Sequence, residues 1–112
     1  MQNIALIINT LQGGGAERCA ADLSLIFTEK GFQVYIFTDL STRITYEYAG
    51  ALVDYRFDLL IAEKMSDEDW LRQKVKQMKE LKILYKIDLA ISFMQYANYF
   101  NILSKGREKV IL

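Results

Sequence analysis

The chain has 112 residues, enough for one small domain. Apolar residues make up 52% and charged residues 25%, with 14 Lys plus Arg against 14 Asp plus Glu. That balance excludes a disordered chain and speaks against nucleic acid as a partner, because nucleic-acid binders carry a basic excess.

In chain order, the first pattern is Ile4-Ala5-Leu6-Ile7-Ile8, a continuous apolar run. Such a run predicts a strand buried on both faces, here over residues 3–8. No basic leader precedes it, so it does not read as a signal peptide. A turn over 9–14 leads into a helix predicted over 15–30. Its apolar positions Ala16, Cys19, Ala20, Leu23, Ile26 and Phe27 share one face at about 3.6 residues per turn. Gly31 ends that helix. Val34-Tyr35-Ile36-Phe37 is the second strand, closed by Thr38-Asp39. The stretch 40–50 lacks a pattern and reads as loop, and 53–59 alternates enough for a third strand.

Ser66-Asp67-Glu68-Asp69 reads as a helix start, with Ser66 as cap, Asp69 at the capping-box position and acids at the positive end of the dipole. The helix is predicted to reach residue 85, with Leu71, Val75, Met78, Leu81 and Tyr85 facing inward. Leu89-Ala90-Ile91-Ser92-Phe93 is the fourth strand. A short helix over 96–105 ends at Gly106, and a fifth strand begins at Lys109. Strands alternating with helices predict an α/β domain. Its sheet is expected to be open, parallel and doubly wound in a Rossmann-like order 3-2-1-4-5. Because the last apolar run, Val110-Ile111-Leu112, reads as an unfinished strand, the sequence is expected to be a shortened piece, with apolar surface prone to self-association. Every apolar run is far shorter than the roughly 20 residues of a membrane-spanning helix.

The chemistry concentrates in Thr10-Leu11-Gln12-Gly13-Gly14-Gly15. Half of the six glycines fall here, where the first strand meets the first helix. In a doubly wound sheet ligands bind outside the carboxyl ends of the strands where the order reverses, between strands one and four. Glycines let backbone N–H groups approach a ligand, and the helix adds a positive N-terminus, so the turn suits a phosphate. A tight connection with no ligand is the alternative. The motif is not a P-loop, since no Gly-Lys-Ser/Thr follows. It is an incomplete dinucleotide fingerprint, with Arg18 at the third glycine position and Asp39 where a ribose-binding acid would sit. A NAD-dependent oxidoreductase and a non-enzymatic nucleotide- or protein-binding α/β module therefore stay open.

Gly13-Gly14-Gly15-Ala16-Glu17-Arg18 after a first strand, then Lys30-Gly31-Phe32-Gln33-Val34 into a second, resembles the opening of retaining glycosyltransferases of family 4. Members often read GGAER, a helix, then GHEV and a strand. Ile87-Asp88-Leu89-Ala90-Ile91-Ser92-Phe93 with Tyr96-Ala97-Asn98 is similar to the family's PDVVISF segment. The chain departs at Phe32, where His is usual, and at Ile87, where Pro is common. The resemblance spans most of the chain and implies the N-terminal, acceptor-side domain of a two-domain GT-B enzyme. The implied reaction moves a sugar from a nucleoside-diphosphate sugar to an acceptor hydroxyl, with retention, in polysaccharide or glycolipid synthesis. It uses no cofactor and no metal, and the catalytic residues would lie beyond these segments. Gly13, Gly14 and Gly15 would then face the donor diphosphate, and Glu17, Arg18, Ser92, Tyr96 and Asn98 become candidate substrate contacts. The 112-residue chain alone is expected to transfer no sugar.

Arg72, Lys76, Lys79, Lys82 and Lys86 project along one side of the long helix. They read as a solvated face or as a peripheral contact with an anionic membrane. Lone Cys19 forbids an internal disulfide, fits a reducing, cytoplasmic setting and is expected to pack under the first helix. Trp70 reads as a helix-start staple or surface contact. The absence of histidine removes the commonest general base and metal ligand, and Asp67, Glu68 and Asp69 are expected to form no metal site.

Overall fold

The structure is a computed structural model that describes residues 2–56 and 67–112. Among these the elements run β1 (Asn3–Ile7), α1 (Gly15–Glu29), β2 (Gln33–Thr38), β3 (Ala51–Asp54), α2 (Asp67–Leu84), β4 (Leu89–Ser92), α3 (Gln95–Leu103) and β5 (Lys109–Ile111). The five strands form one sheet in the order β3-β2-β1-β4-β5. All pairings are parallel, with Ile7 opposite Phe37 on one side and Ser92 on the other. This is the expected doubly wound topology. Of the sequence-predicted third strand, 55–56 lie beyond β3 and 57–59 outside the described residues, as does the expected cap Ser66.

The continuous apolar run of β1 is explained by its central place. Ile4, Leu6 and Ile8 enter a core under α1, with Leu11, Ala20, Val34 and Ile36. Ala5 and Ile7 enter the opposite core under α2 and α3, with Phe37, Tyr55, Trp70, Met78, Ala97 and Phe100. α1 therefore covers one face, and α2 and α3 cover the other. A strand between two such layers has no polar face to offer.

Several burial expectations are corrected. Cys19 is exposed, and Ile26 is 45% exposed. The expected Ala20 is fully buried, joined by Ala21 and Ser24, and the expected Ala16, Leu23 and Phe27 pack half-buried against the same core. Small side chains bring that helix close to the sheet, and Ser24 is satisfied locally. Its hydroxyl donates to the Ala21 carbonyl at 2.6 Å and accepts from the Ala49 N–H at 3.0 Å. The unpatterned stretch 40–50 thus packs against α1, and Ile44 and Tyr48 join the same core. Trp70 is not a surface contact, and a staple partner ahead of the helix would lie outside the described residues. Trp70 is buried and meets Phe100 edge-on at 5.6 Å. Lys82 is buried as well, on the inner side of α2.

Candidate functional site at the carboxyl end of the sheet

β1 and β4 are adjacent, yet their following helices lie on opposite faces. The crevice between the β1–α1 and β4–α3 turns is the topological switch point of the sheet.

The glycine turn forms its near wall. Gly13 has φ 63° and Gly14 has φ 83°, conformations that L-residues with a side chain adopt only under strain. Gly14 is the N-cap of α1 and offers no side-chain cap. The N–H groups of the first helical turn have no partner within the helix, so this end presents donors and a positive dipole end. A side chain at Gly14 would run into the Glu17 carboxylate, which folds back over the turn. Arg18 is exposed next to it and has no acidic partner among the described residues.

Two residues that the sequence reading passed over hold this wall. The Thr45 hydroxyl accepts from the Gly13 N–H at 3.1 Å and donates to the Leu11 carbonyl at 3.3 Å. The Tyr46 hydroxyl donates to the Gly14 carbonyl at 3.2 Å. The N–H of Gly13 is thereby occupied, and the open donors are those further into the helix start. Gly15 has open space where a Cβ would go and needs no special backbone. Of the three glycines, Gly13 and Gly14 carry the geometry.

The far wall is the start of α3. Its N-cap is Met94, at φ 74° and ψ 168°, again without a side-chain cap. This is the backbone conformation of Gly14, which has φ 83° and ψ 161°. Glycine adopts it freely, whereas a methionine there stores strain. Tyr96 is 53% exposed on the first turn. Ser92, also a candidate contact, is buried, and its hydroxyl turns inward. It donates to Asn98 Oδ1 at 2.8 Å, which orients a half-buried amide at the rim.

Behind Ser92 lies a buried polar chain. Asn101 Nδ2 donates to Ser92 Oγ at 3.0 Å and to the Ala90 carbonyl at 3.2 Å. Lys82 Nζ donates to Asn101 Oδ1 at 2.8 Å, to the Asn101 carbonyl at 3.0 Å and to Glu108 Oε2 at 2.6 Å. Glu108 also accepts from the Gly106 N–H at 2.7 Å. Burial pushes the Glu108 carboxyl up, but the hydrogen bonds from Lys82 and Gly106 outweigh it and hold it below the ordinary carboxylate value. Burial draws Lys82 below the ordinary lysine value against the pull of Glu108. Lys82 therefore leaves the basic face expected from the sequence, because Glu108 offers a buried counter-charge.

Asp39, the candidate ribose acid, is committed to its own turn. Its Oδ1 accepts from the Ser41 N–H at 2.8 Å and the Ser41 hydroxyl at 2.6 Å, and Arg56 lies 3.8 Å from it. Among the described residues no group of three or more His, Cys, Asp or Glu is placed to hold a metal ion. No helix among them is long and apolar enough to cross a membrane. No protein-family model matches the chain, and no curated protein matches it.

Proposed function

We propose that the crevice between the two turns receives the diphosphate of a nucleotide-sugar, and that the chain is the acceptor-side domain of a retaining glycosyltransferase. One observation carries this reading: α1 starts without a side-chain cap on two positive-φ glycines, beside the equally uncapped start of α3. Two open helix N-termini facing one crevice suit an oxyanion. Exposed Arg18 supplies a charge with no acidic partner among the described residues. Asp39 favours the dinucleotide alternative less, because its turn already occupies one of its oxygens.

Calorimetry with uridine and guanosine diphosphates, inorganic phosphate and NAD tests the proposal. A nucleoside diphosphate should bind, and Arg18→Glu should weaken it about tenfold, the effect of roughly 1.4 kcal/mol. NAD binding without diphosphate binding would favour the oxidoreductase reading, and binding of neither would sink both. The resembling enzymes hold most of the donor in a second domain, so the 112-residue chain should show no sugar transfer by itself.

The outer side of α2 supports a peripheral contact with an anionic membrane. Arg72, Lys76, Lys79 and Lys86 are exposed, beside Ile83 at 70%, Leu84 at 67% and Leu103 at 46%. Leu71, Val75 and Leu103 line a groove of about 400 Å³ rimmed by the first three of these cations. Apolar groups among basic ones suit a lipid interface. Arg72 is tied to Glu68 at 2.6 Å. The remaining three lysines contribute about 3 kcal/mol at about 1 kcal/mol each. Co-sedimentation with vesicles should require anionic lipid and fail for Lys76→Glu/Lys79→Glu/Lys86→Glu. Indifference to lipid charge would end the membrane reading.

A further inference from the structure

From the buried polar chain we infer that Lys82 is a positioning residue: through Asn101 and Ser92 it fixes the Asn98 amide so that its N–H donors face the crevice and meet a hydrogen-bond-accepting oxygen of the ligand. The inference rests on the reading that this crevice binds a ligand, and it adds which atom recognises it.

The direction of the chain follows from what each group is able to do. An ammonium only donates, so the Asn101 atom facing Lys82 is Oδ1. A carbonyl only accepts, so the Asn101 atom facing Ala90 is Nδ2. The orientation of Asn101 is thus set from both ends. Its Nδ2 then donates to Ser92 Oγ, and the Ser92 proton needs an acceptor elsewhere. Ser92 is 2% exposed, and its one acceptor among the described residues is Asn98 Oδ1 at 2.8 Å. Turning the Asn98 amide over would have its Nδ2 donate to Ser92 Oγ, which already accepts from Asn101, and would leave the buried Ser92 proton unpaired. With Oδ1 turned inward, Nδ2 of half-buried Asn98 points away from the chain and has no partner among the described residues. A polar atom held in this way selects an acceptor: a phosphate, carboxylate or sugar oxygen. Glu108 completes the device by keeping the ammonium charged, through its 2.6 Å contact.

Side-chain amide NMR on the full chain tests this. In the wild type the Asn101 amide protons should be protected, and those of Asn98 should exchange with water roughly tenfold faster or more. Lys82→Met frees Asn101, so the Asn98 amide should shift and broaden as it samples both orientations. Lys79→Met, on the same helix but outside the chain of hydrogen bonds, should leave it unmoved. If Lys82→Met does not fold, Ser92→Ala cuts the last link, and the Asn98 amide should move while Asn101 stays protected. A Lys82 with a purely structural role would lower stability without touching the Asn98 amide. Protected Asn98 amide protons in the wild type, or an Asn98 amide indifferent to these variants, would overturn the assignment. Titration with uridine diphosphate, and separately with inorganic phosphate, addresses the crevice itself. A shift of the Asn98 amide puts the acceptor oxygen against it. No shift at Asn98 or in the glycine turn rejects the crevice as an oxyanion site and leaves the amide-orientation result standing.

Discussion

Removing Lys82 alone should be far more damaging than removing Lys82 and Glu108 together. The two side chains are 4% and 3% exposed and meet at 2.6 Å. Lys82→Met leaves the Glu108 carboxylate buried with backbone N–H groups, that of Gly106 among them, but no counter-charge to hold it. An uncompensated buried charge costs about 3–5 kcal/mol. The domain as a whole has about 5–15 kcal/mol to lose. In Lys82→Met/Glu108→Leu no charge remains, and the loss falls to the two Asn101 oxygens and the Gly106 N–H deprived of partners. That residue of the effect is about 1–3 kcal/mol. The double variant should then be about 2 kcal/mol more stable than Lys82→Met alone. Urea unfolding followed by Trp70 fluorescence measures it directly, since this lone tryptophan sits in the core against Phe100. A Lys82→Met cost below about 1 kcal/mol, or a double variant no better than the single, would refute the burial argument.

Three further outcomes follow from the same geometry. Gly14→Ala should cost about 1–2 kcal/mol through its positive φ, with the flexible end of Glu17 moving aside, whereas Gly15→Ala should be neutral or stabilising by about 0.5–1 kcal/mol; thermal melts showing equal effects would contradict the turn described. Met94→Gly should raise stability by about 1 kcal/mol, because it relieves about 1–3 kcal/mol of backbone strain and gives up a side chain that is 57% exposed; a clear loss in urea unfolding would mean that the methionine packs usefully. The folded-state pKa of Glu108 lies below its ordinary 4.5, so its stabilisation is full above that value and fades as the pH falls through the lower folded value; Glu108→Gln should flatten the acid limb of a stability-against-pH curve.

The sheet order was legible because it rests on local signals. The run Ile4 to Ile8, Gly31 after α1 and the acids opening α2 each mark an element without reference to the rest of the chain. What the sequence hid was non-local. Lys82 sits among other cations on a helix, and nothing nearby says that it turns inward. Its reason is Glu108, 26 residues later. Thr45 and Tyr46 hold the glycine turn from 32 residues away through hydroxyl-to-backbone bonds, which leave no periodicity. Cys19 was misplaced because the buried arc of α1 is marked by small residues, including a serine, rather than by its largest apolar ones. Ser24 looks polar until the Ala49 N–H is placed against it. The glycine turn could be located from sequence, but which two of its glycines carry positive φ could not.

The two walls of the crevice share one backbone conformation, and comparing them separates folding from function. At Gly14 the residue type fits the geometry, so the β1–α1 turn costs little and its glycine is explained by folding alone. At Met94 the residue type opposes the geometry, and the strain must be held by the surroundings. The Phe93 N–H is bonded to Ile7 at 3.0 Å, and the Asn98 N–H returns to Met94 at 2.9 Å. Below them, Ser92 and Asn98 are locked to the chain that begins at Lys82 and Glu108. The strained turn is therefore fixed on both sides, and what it fixes is the start of α3 with its Asn98 amide. A fold that needed only to connect β4 to α3 could place glycine at position 94 and omit the buried charges. Strain and a buried ion pair converge on this one helix start, and neither is needed to join β4 to α3, so within the proposed crevice the β4–α3 turn, more than the glycine turn, is the part that folding alone does not explain.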